Sequence, residues 1–345
     1  MGLKMVKIIQ TDELKSLLFN IFKGLGVPDE HAMIVSDSLV LANLRGVDSH
    51  GVSRGLDFIN GIKNGEINPS PKIKVVKETD VSILIDGDRG IGIPVAYYLT
   101  LRVIDKAKRL GVSVGAARNL WNVGALAYYV MKAAREGLIG IALANARARV
   151  SVPGVKSPIV GTNPIAIGIP TKDEPIVLDM ALSTVAFGKI VLALRKGEKI
   201  PEGWALTKNG RPTTDPKEAL EGYLTPVGGY KGLGLAIVVD ILSSILINAP
   251  YSLAITGKGP YTQGGFLMTA LNPVLFRDYD EFIEALSAYI NMIKSLPREP
   301  GVEVLMPGEP EYRTYLKRVK EGIPLDDEIW SQLVKVANEL GIKCS

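Results

Sequence analysis

The residues best suited to proton chemistry stand together in Leu44-Arg45-Gly46-Val47-Asp48-Ser49-His50-Gly51-Val52-Ser53-Arg54. Glycines there separate an imidazole, a hydroxyl, a carboxylate and two guanidiniums. His50 is one of only two histidines in 345 residues. Imidazole has an unperturbed pKa of about 6.5, which suits acid–base work near neutrality. His50 is therefore the first candidate general acid or base. His31 follows Asp29 and Glu30 in the first turn of a helix and reads as a surface residue. A second candidate site is Gly228-Gly229-Tyr230-Lys231-Gly232-Leu233-Gly234, which opens a long apolar helix. Backbone N–H groups, the positive helix end and a lysine would converge there on a phosphate. The same glycines equally suit a helix start packed tightly against its surroundings. Gly161-Thr162-Asn163-Pro164 and Asp179-Met180-Ala181 adjoin strands. They are either ordinary turns or the strand ends at which open sheets bind ligands.

Other chemistries are disfavoured. No G-x-G-x-x-G lies between a strand and a helix, so a Rossmann site is not expected. With two histidines and the single Cys344, and neither H-E-x-x-H nor EF-hand spacing, no metal site is expected. Nor is a Ser-His-Asp hydrolase. The net charge of +4 comes from 40 basic and 36 acidic residues. No basic run argues for nucleic acid. One cysteine excludes disulfides within the chain, and a reducing cytoplasm is the expected compartment. Met1 to Gln10 is too short for a signal peptide and carries two lysines. Leu233 to Ala249 is the most membrane-like run, but Asp240 and Ser243-Ser244 interrupt it, so it reads as a buried helix of a soluble domain. Glutamine occurs only at Gln10, Gln263 and Gln332, while Lys, Glu, Ile and Val abound, a bias that suggests a thermophile.

The elements that must position these residues follow from periodicity. Leu14, Leu17, Leu18, Ile21 and Phe22 share one face of a first helix, ended by Gly24 and Gly26. Pro28 suits the first turn of a second helix running to about Leu44. The His50 motif then falls in a loop or helix start, and 55–80 reads as a crossing segment. Strands are expected at 81–85, 112–117, 139–144, 164–169 and 175–178. Helices are expected at 94–110, 124–136 and 184–195. This alternation argues for an α/β layer architecture, with a sheet that could be mixed or antiparallel. Residues 197–229 read as turns, with Lys208-Asn209-Gly210-Arg211 a tight one. Helices follow at about 230–248, 279–295, 309–321 and 325–340, and 257–265 reads as loop. The hydrophobic fraction of 47% supports a sizeable core, and the length suggests two units. Residues 1–75 and 297–345 are expected to form a helical unit, and 76–296 an α/β unit.

Taken in order, several segments resemble the malate/L-lactate dehydrogenase family that lacks a Rossmann fold. Its members also include sulfolactate and ureidoglycolate dehydrogenases and a piperideine-2-carboxylate reductase. The matching segments are Ala42 to Val52, Gly161-Thr162-Asn163-Pro164-Ile165-Ala166, Leu178-Asp179-Met180-Ala181, Gly188-Lys189-Ile190, Pro201-Glu202-Gly203-Trp204-Ala205, Pro212-Thr213-Thr214-Asp215-Pro216, and Lys231-Gly232 with Gly234-Leu235.

The resemblance implies a family-specific α/β fold for NAD(P), with a mixed or antiparallel central sheet and a helical domain drawn from both termini. It implies a homodimer in which that helical domain serves dimerisation and the substrate side. It also implies hydride transfer between NAD or NADP and a small 2-oxo or 2-hydroxy acid. In that picture His50, helped by Ser49, exchanges a proton with the substrate oxygen. Lys189 aligns with a position that is catalytic in some members. Arg45 and Arg54 bind the substrate carboxylate, and Asn122 faces the substrate. Cofactor contacts map to Asn145, Thr162, Asn163, Asp179, Met180, Ala181, Lys231, Gly232, Thr262, Gln263 and Gly264.

Four departures from the family pattern cluster at the expected site. Asn122 stands where the family usually has a second histidine. Asn145-Ala146-Arg147-Ala148 replaces Asn-Ser-x-Pro, Pro153-Gly154-Val155-Lys156 alters a Pro-x-Gly-Gly loop, and Gly264-Gly265 replaces Gly-His. Two readings follow: an active dehydrogenase that relies on His50, or a dimeric nucleotide- or ligand-binding paralogue with impaired catalysis.

Overall fold

The computed structural model describes residues 6–255 and 264–342. Among the described residues the first elements are strand β1 (Val6–Ile9) and helices α1 (Thr11–Gly24), α2 (Asp29–Leu44) and α3 (Val52–Lys63). The five apolar residues spaced along α1 are all buried, and Asp12 and Glu13 sit at its positive end. The α/β body follows as β2 (Lys74–Glu78), β3 (Ser82–Gly90), α4 (Gly92–Leu110), β4 (Val112–Leu120), α5 (Ala127–Arg135), β5 (Ile139–Ala144), β6 (Ile165–Ile169) and β7 (Ile176–Met180). Then come α6 (Phe187–Lys196), β8 (Ala205–Leu206), β9 (Pro212–Thr213), α7 (Pro216–Glu221), β10 (Tyr223–Leu224), α8 (Tyr230–Ser243) and β11 (Gly264–Leu271). The chain closes with α9 (Tyr279–Ser295), α10 (Glu309–Glu321), β12 (Ile323–Asp326) and α11 (Asp327–Glu339).

Among the described residues the central sheet has seven strands, in the order β2-β3-β4-β11-β5-β6-β7. It is mixed: β3 and β4 are parallel, joined by the crossover helix α4, and every other neighbouring pair is antiparallel. Strand β11 enters between β4 and β5 although it comes more than a hundred residues after them in the chain. Three apolar cores hold the layers. One lies between the sheet and α4 and α5, around Leu99, Tyr129, Phe266 and Met268. Another lies on the opposite sheet face under α6 and α8, around Leu143, Leu267, Ile190 and Val239. The remaining core joins the two termini: Leu18 and Phe22 of α1 share it with Trp330 and Leu333 of α11. There β1 pairs antiparallel with β12.

Three expectations are corrected. Residues 55–63, read as part of a crossing segment, belong to α3 (Val52–Lys63), whose Val52, Phe58 and Ile59 are buried. Strand β11 was not anticipated. The helix expected to be buried, α8, is covered on one side only, and Leu235, Val238 and Ile241 are exposed.

The sheet register matters for function. Gly264 pairs with Leu120, Phe266 with Ala144, Leu143 with Ile165, and Ile165 with Met180. The ends of β4, β5 and β7 and the starts of β6 and β11 therefore lie along one edge. The residues just beyond them, Asn122, Asn145, Asn163 and Ala181, gather at that edge. Ile91 and Trp121, which follow β3 and β4 there, join the core of the terminal helices. The edge thus abuts the unit that carries His50.

Candidate active site

The His50 turn is fixed from three directions. After α2, Gly46 (φ 78°) reverses the chain, and Asp48–His50 form one 3-10 turn before α3. Asn43 is buried, and its carboxamide spans the turn. Its Oδ1 accepts from Val52 N–H at 2.7 Å, and its Nδ2 donates to Asp48 Oδ1 at 2.6 Å. Arg318 of α10 donates to both oxygens of Asp48, at 2.6 and 3.1 Å, and to the Asn43 carbonyl. Gly51 completes the clamp, because a Cβ there would lie 2.1 Å from Asn43 Oδ1.

On this platform Ser49 is exposed and His50 half-buried. Ser49 Oγ lies 3.0 Å from His50 Nδ1. With the proton on Nδ1, Ser49 accepts it and Nε2 presents a free lone pair. Burial, and then the positive charge of Arg54, push the imidazole down to about 4. His50 is therefore neutral, and a base, at neutral pH.

Arg54 donates through Nε to the Ser49 carbonyl at 3.1 Å and pairs through Nη1 with Asp57 at 2.8 Å. Burial raises the Asp57 carboxyl against the opposing pull of Arg54. Arg45 lies elsewhere. It is only 6% exposed, and its Nε has no hydrogen-bond partner among the described residues. Burial lowers its pKa, while Glu311, Glu174 and Asp179 act to raise it. Arg54 is thus tied to the His50 turn, whereas Arg45 is buried under the influence of Glu311, Glu174 and Asp179.

At the sheet edge, Asp179 accepts from the Ala127 N–H at 2.8 Å, at the start of α5. Solvent still reaches Asp179, yet the surrounding protein crowds its carboxyl and pushes it up to about 6, against the pull of that hydrogen bond and of Arg45. Met180 packs partly against the core beneath α6, and Ala181 is half-buried. Asn122 Oδ1 accepts from Gly124 N–H at 2.8 Å, which leaves its amide N–H groups as donors.

Asn145 and Asn163 serve as internal ties. Asn145 donates to Asp240 (3.0 Å) and to the Pro250 carbonyl (2.8 Å), and accepts from Gly265 (2.7 Å). Asn163 is fully buried with φ 30°; it donates to the Ala236 carbonyl and accepts from Ala146 N–H and Ser252 Oγ. Both carboxamides shape the edge from behind. Thr162 is half-buried, and its carbonyl accepts from Leu182 N–H. Gly264 opens β11, while Thr262 and Gln263 lie outside the described residues.

The start of α8 satisfies both readings of its glycines. Gly232 is required by packing, since a Cβ would lie 1.9 Å from the Val227 carbonyl oxygen. Gly228 and Gly229 have positive φ and open space around them, and no side chain caps the helix. Lys231 is exposed beside them, and Lys189 is exposed in the first turn of α6.

Gly51-Val52-Ser53-Arg54-Gly55 spells G-x-S-x-G, although no hydrolase is expected from the sequence. It follows a 3-10 turn rather than a strand, and Ser53 Oγ donates to the Asp48 carbonyl at 3.1 Å. It is not a hydrolase elbow. Arg318 also escaped sequence reading, since its tie to Asp48 spans 270 residues and leaves no local signal.

Comparison with known proteins shows the family and the fold. The chain is 40% identical over 339 residues to the malate/(S)-sulfolactate dehydrogenase of Methanothermus fervidus, covering 97% of this chain and 99% of that one. It is 35% identical over 288 residues to the (2R)-3-sulfolactate dehydrogenase (NADP(+)) of Chromohalobacter salexigens, covering 82% and 86%. Its fold matches the sulfolactate dehydrogenase structure from Methanocaldococcus jannaschii with a TM-score of 0.92, at 40% identity and 98% coverage of both chains. The malate/L-lactate dehydrogenase family model matches residues 9–334. With the His50 turn set against one edge of a mixed seven-stranded sheet, this chain belongs to the malate/L-lactate dehydrogenase family.

Proposed function

We propose that this chain oxidises a small 2-hydroxy acid, such as malate or lactate, and reduces the corresponding 2-oxo acid with NAD or NADP, using His50 as the acid–base group. The observation that carries this reading is the pinned Ser49–His50–Arg54 arrangement beside the sheet edge. The residues fit a dinucleotide phosphate: the start of α8 is uncapped, Gly228 and Gly229 leave open space, and Lys231 is exposed beside them. The bound nicotinamide supplies or accepts the hydride.

In the oxidative direction His50 Nε2 takes the substrate hydroxyl proton, and in reduction it returns that proton. Ser49 orients the ring through Nδ1. Arg54 holds the carboxylate, with Arg45 as a further cation on the β7 side. Asn122 donates a hydrogen bond to a substrate oxygen but cannot give up a proton. Lys189 stays in the catalytic set. Thr162, Asp179, Met180, Ala181, Lys231, Gly232 and Thr262 to Gly264 form the cofactor side, with Asn145 and Asn163 holding its backbone. The exposed apolar residues of α8 and the helical unit of both termini support a homodimer, expected in light scattering as twice the chain mass.

The direct test is to mix the protein with NADH or NADPH and a panel that includes oxaloacetate and pyruvate. Turnover is expected. Cofactor binding by fluorescence with no turnover on any substrate would favour the impaired paralogue, for which Asn122 is the motive; N122H should then raise activity.

The pH dependence follows from the depressed His50 pKa. The base form persists until the pH falls to about 4. For oxidation by the free enzyme, kcat/KM should stay level through pH 6 and fall only on approaching about 4. A break near about 6.5 would instead assign a solvent-like imidazole. The sign for folding is consistent with this. The unfolded chain binds this proton first, so stability declines as pH falls from about 6.5 towards 4.

A further inference from the structure

The segment after β5 carries two arginines, Arg147 and Arg149, that the dehydrogenase reading leaves without a role. Its backbone is held at successive points. Ala146 N–H donates to Asn163 Oδ1 (3.0 Å), Ala148 N–H to the Ser252 carbonyl (3.0 Å) and Arg149 N–H to the Val160 carbonyl (2.9 Å). The Arg149 carbonyl accepts from Leu224 N–H at 2.9 Å. The Arg149 guanidinium lies over the Phe187 ring, 4.3 Å from its centroid, at the start of α6. Such stacking fixes the plane of the guanidinium and leaves its N–H edge to point along the ring face.

The electrostatics there are lopsided. Arg149 forms no ion pair with any acid among the described residues. The charges that act on it are those of Arg147 and Arg54, and together with burial they lower its pKa. A half-buried cation such as Arg149, which meets like charge and has no acid partner among the described residues, is unfavourable until an anion joins it. A cleft of about 290 Å³ opens at this place, bounded by Arg147, Arg149, Phe187, Pro158, Leu220 and Tyr223. That is close to the lower end of the range for small-molecule sites. Its link to Arg54 ties it electrostatically to the His50 turn.

We propose that Arg147 and Arg149 form an anion subsite in this cleft, which binds a second negatively charged group of the ligand assembly. The group is either the second acid group of a dianionic 2-oxo or 2-hydroxy acid or the ribose phosphate that distinguishes NADP from NAD. The choice of source rests on the dehydrogenase reading; the anion site itself does not. Arg149 supplies a planar donor edge suited to carboxylate, sulfonate or phosphate.

The test compares R149Q, R149K and R147Q with the unaltered protein in two ways. One is the thermal shift produced by L-malate against L-lactate, and by NADPH against NADH. The other is the kcat/KM ratio for oxaloacetate over pyruvate, and for NADPH over NADH. Losing a charge-assisted pair should lower one of these ratios on the order of 10- to 100-fold and abolish the matching thermal shift, with R149K recovering part of the loss. A fall confined to oxaloacetate over pyruvate assigns the subsite to the substrate; one confined to NADPH over NADH assigns it to the cofactor phosphate. If R149Q does not fold, R147Q carries the same comparison. Unchanged ratios and thermal shifts in the folded variants, or equal losses for all ligands, would overturn the subsite. Absence of turnover in the unaltered protein would count against the dehydrogenase reading alone, because the thermal shifts still report anion binding.

Discussion

Replacing His50 with alanine should lower kcat by about 10²–10⁴ in both directions, with a much smaller change in KM. The size of the effect follows from the scarcity of alternatives. His31 sits in the first turn of α2, and position 122 is an asparagine, which cannot donate a proton as an acid. Asp179 has a carboxyl raised to about 6, but one of its oxygens is committed to the Ala127 N–H. No other imidazole stands close enough to take over the proton, since α2 separates His31 from the His50 turn. Steady-state kinetics with a saturating 2-oxo acid would check this. A loss below about ten-fold, or one seen only in KM, would reduce His50 to a binding residue. Restoring the proton donor with an added small imidazole should recover part of the rate in H50A and none in the unaltered protein.

The second large effect is expected at a residue with no side chain. Gly51→Ala would place a methyl group 2.1 Å from Asn43 Oδ1 and 2.8 Å from its Nδ2. Asn43 cannot step aside without breaking its bonds to Val52 N–H and Asp48. Overpacking costs about 1–3 kcal/mol, and each buried group left unpaired about 1–3 kcal/mol more. A destabilisation of about 2–5 kcal/mol in urea unfolding is expected, with a fall in kcat because Ser49 and His50 lose their platform. Gly188→Ala is the control, since nothing lies within 4 Å of its Cβ position in the first turn of α6. An unchanged melting curve and rate for G51A would show that the turn does not depend on the Asn43 clamp.

The parts of the fold legible in the sequence are those whose signals are local. The five apolar residues of α1 repeat at helical spacing, and the helices at 279–295 and 309–321 fall where their periodicity puts them. Among the elements that were not legible, α3 and β11 were missed for different reasons. In α3, Gly55 and Gly61 dilute the apolar stripe, yet a Cβ at Gly55 would already lie 3.3 Å from Leu39, so the glycine reflects close helix packing. In β11, Leu267 packs to one sheet face while Phe266 and Met268 pack to the other. A strand buried on both faces shows no alternation to read.

The sequence by itself determined which side chains could do chemistry: His50 by its rarity, Ser49 and Arg54 by their closeness to it, and the family by motifs spread along the chain. Tertiary structure alone decided how those groups are held and what they face. Arg318 reaches Asp48 across 270 residues, and the register of β11 lines up Leu120, Ala144 and Met180 at one edge. It also set the charges of Glu311, Glu174 and Asp179 to act on Arg45, and that of Arg54 to act on His50 and Arg149. The physical reason is that residue type and short spacing are written locally. Burial, charge pairing and the depressed His50 pKa arise only when distant segments exclude water together.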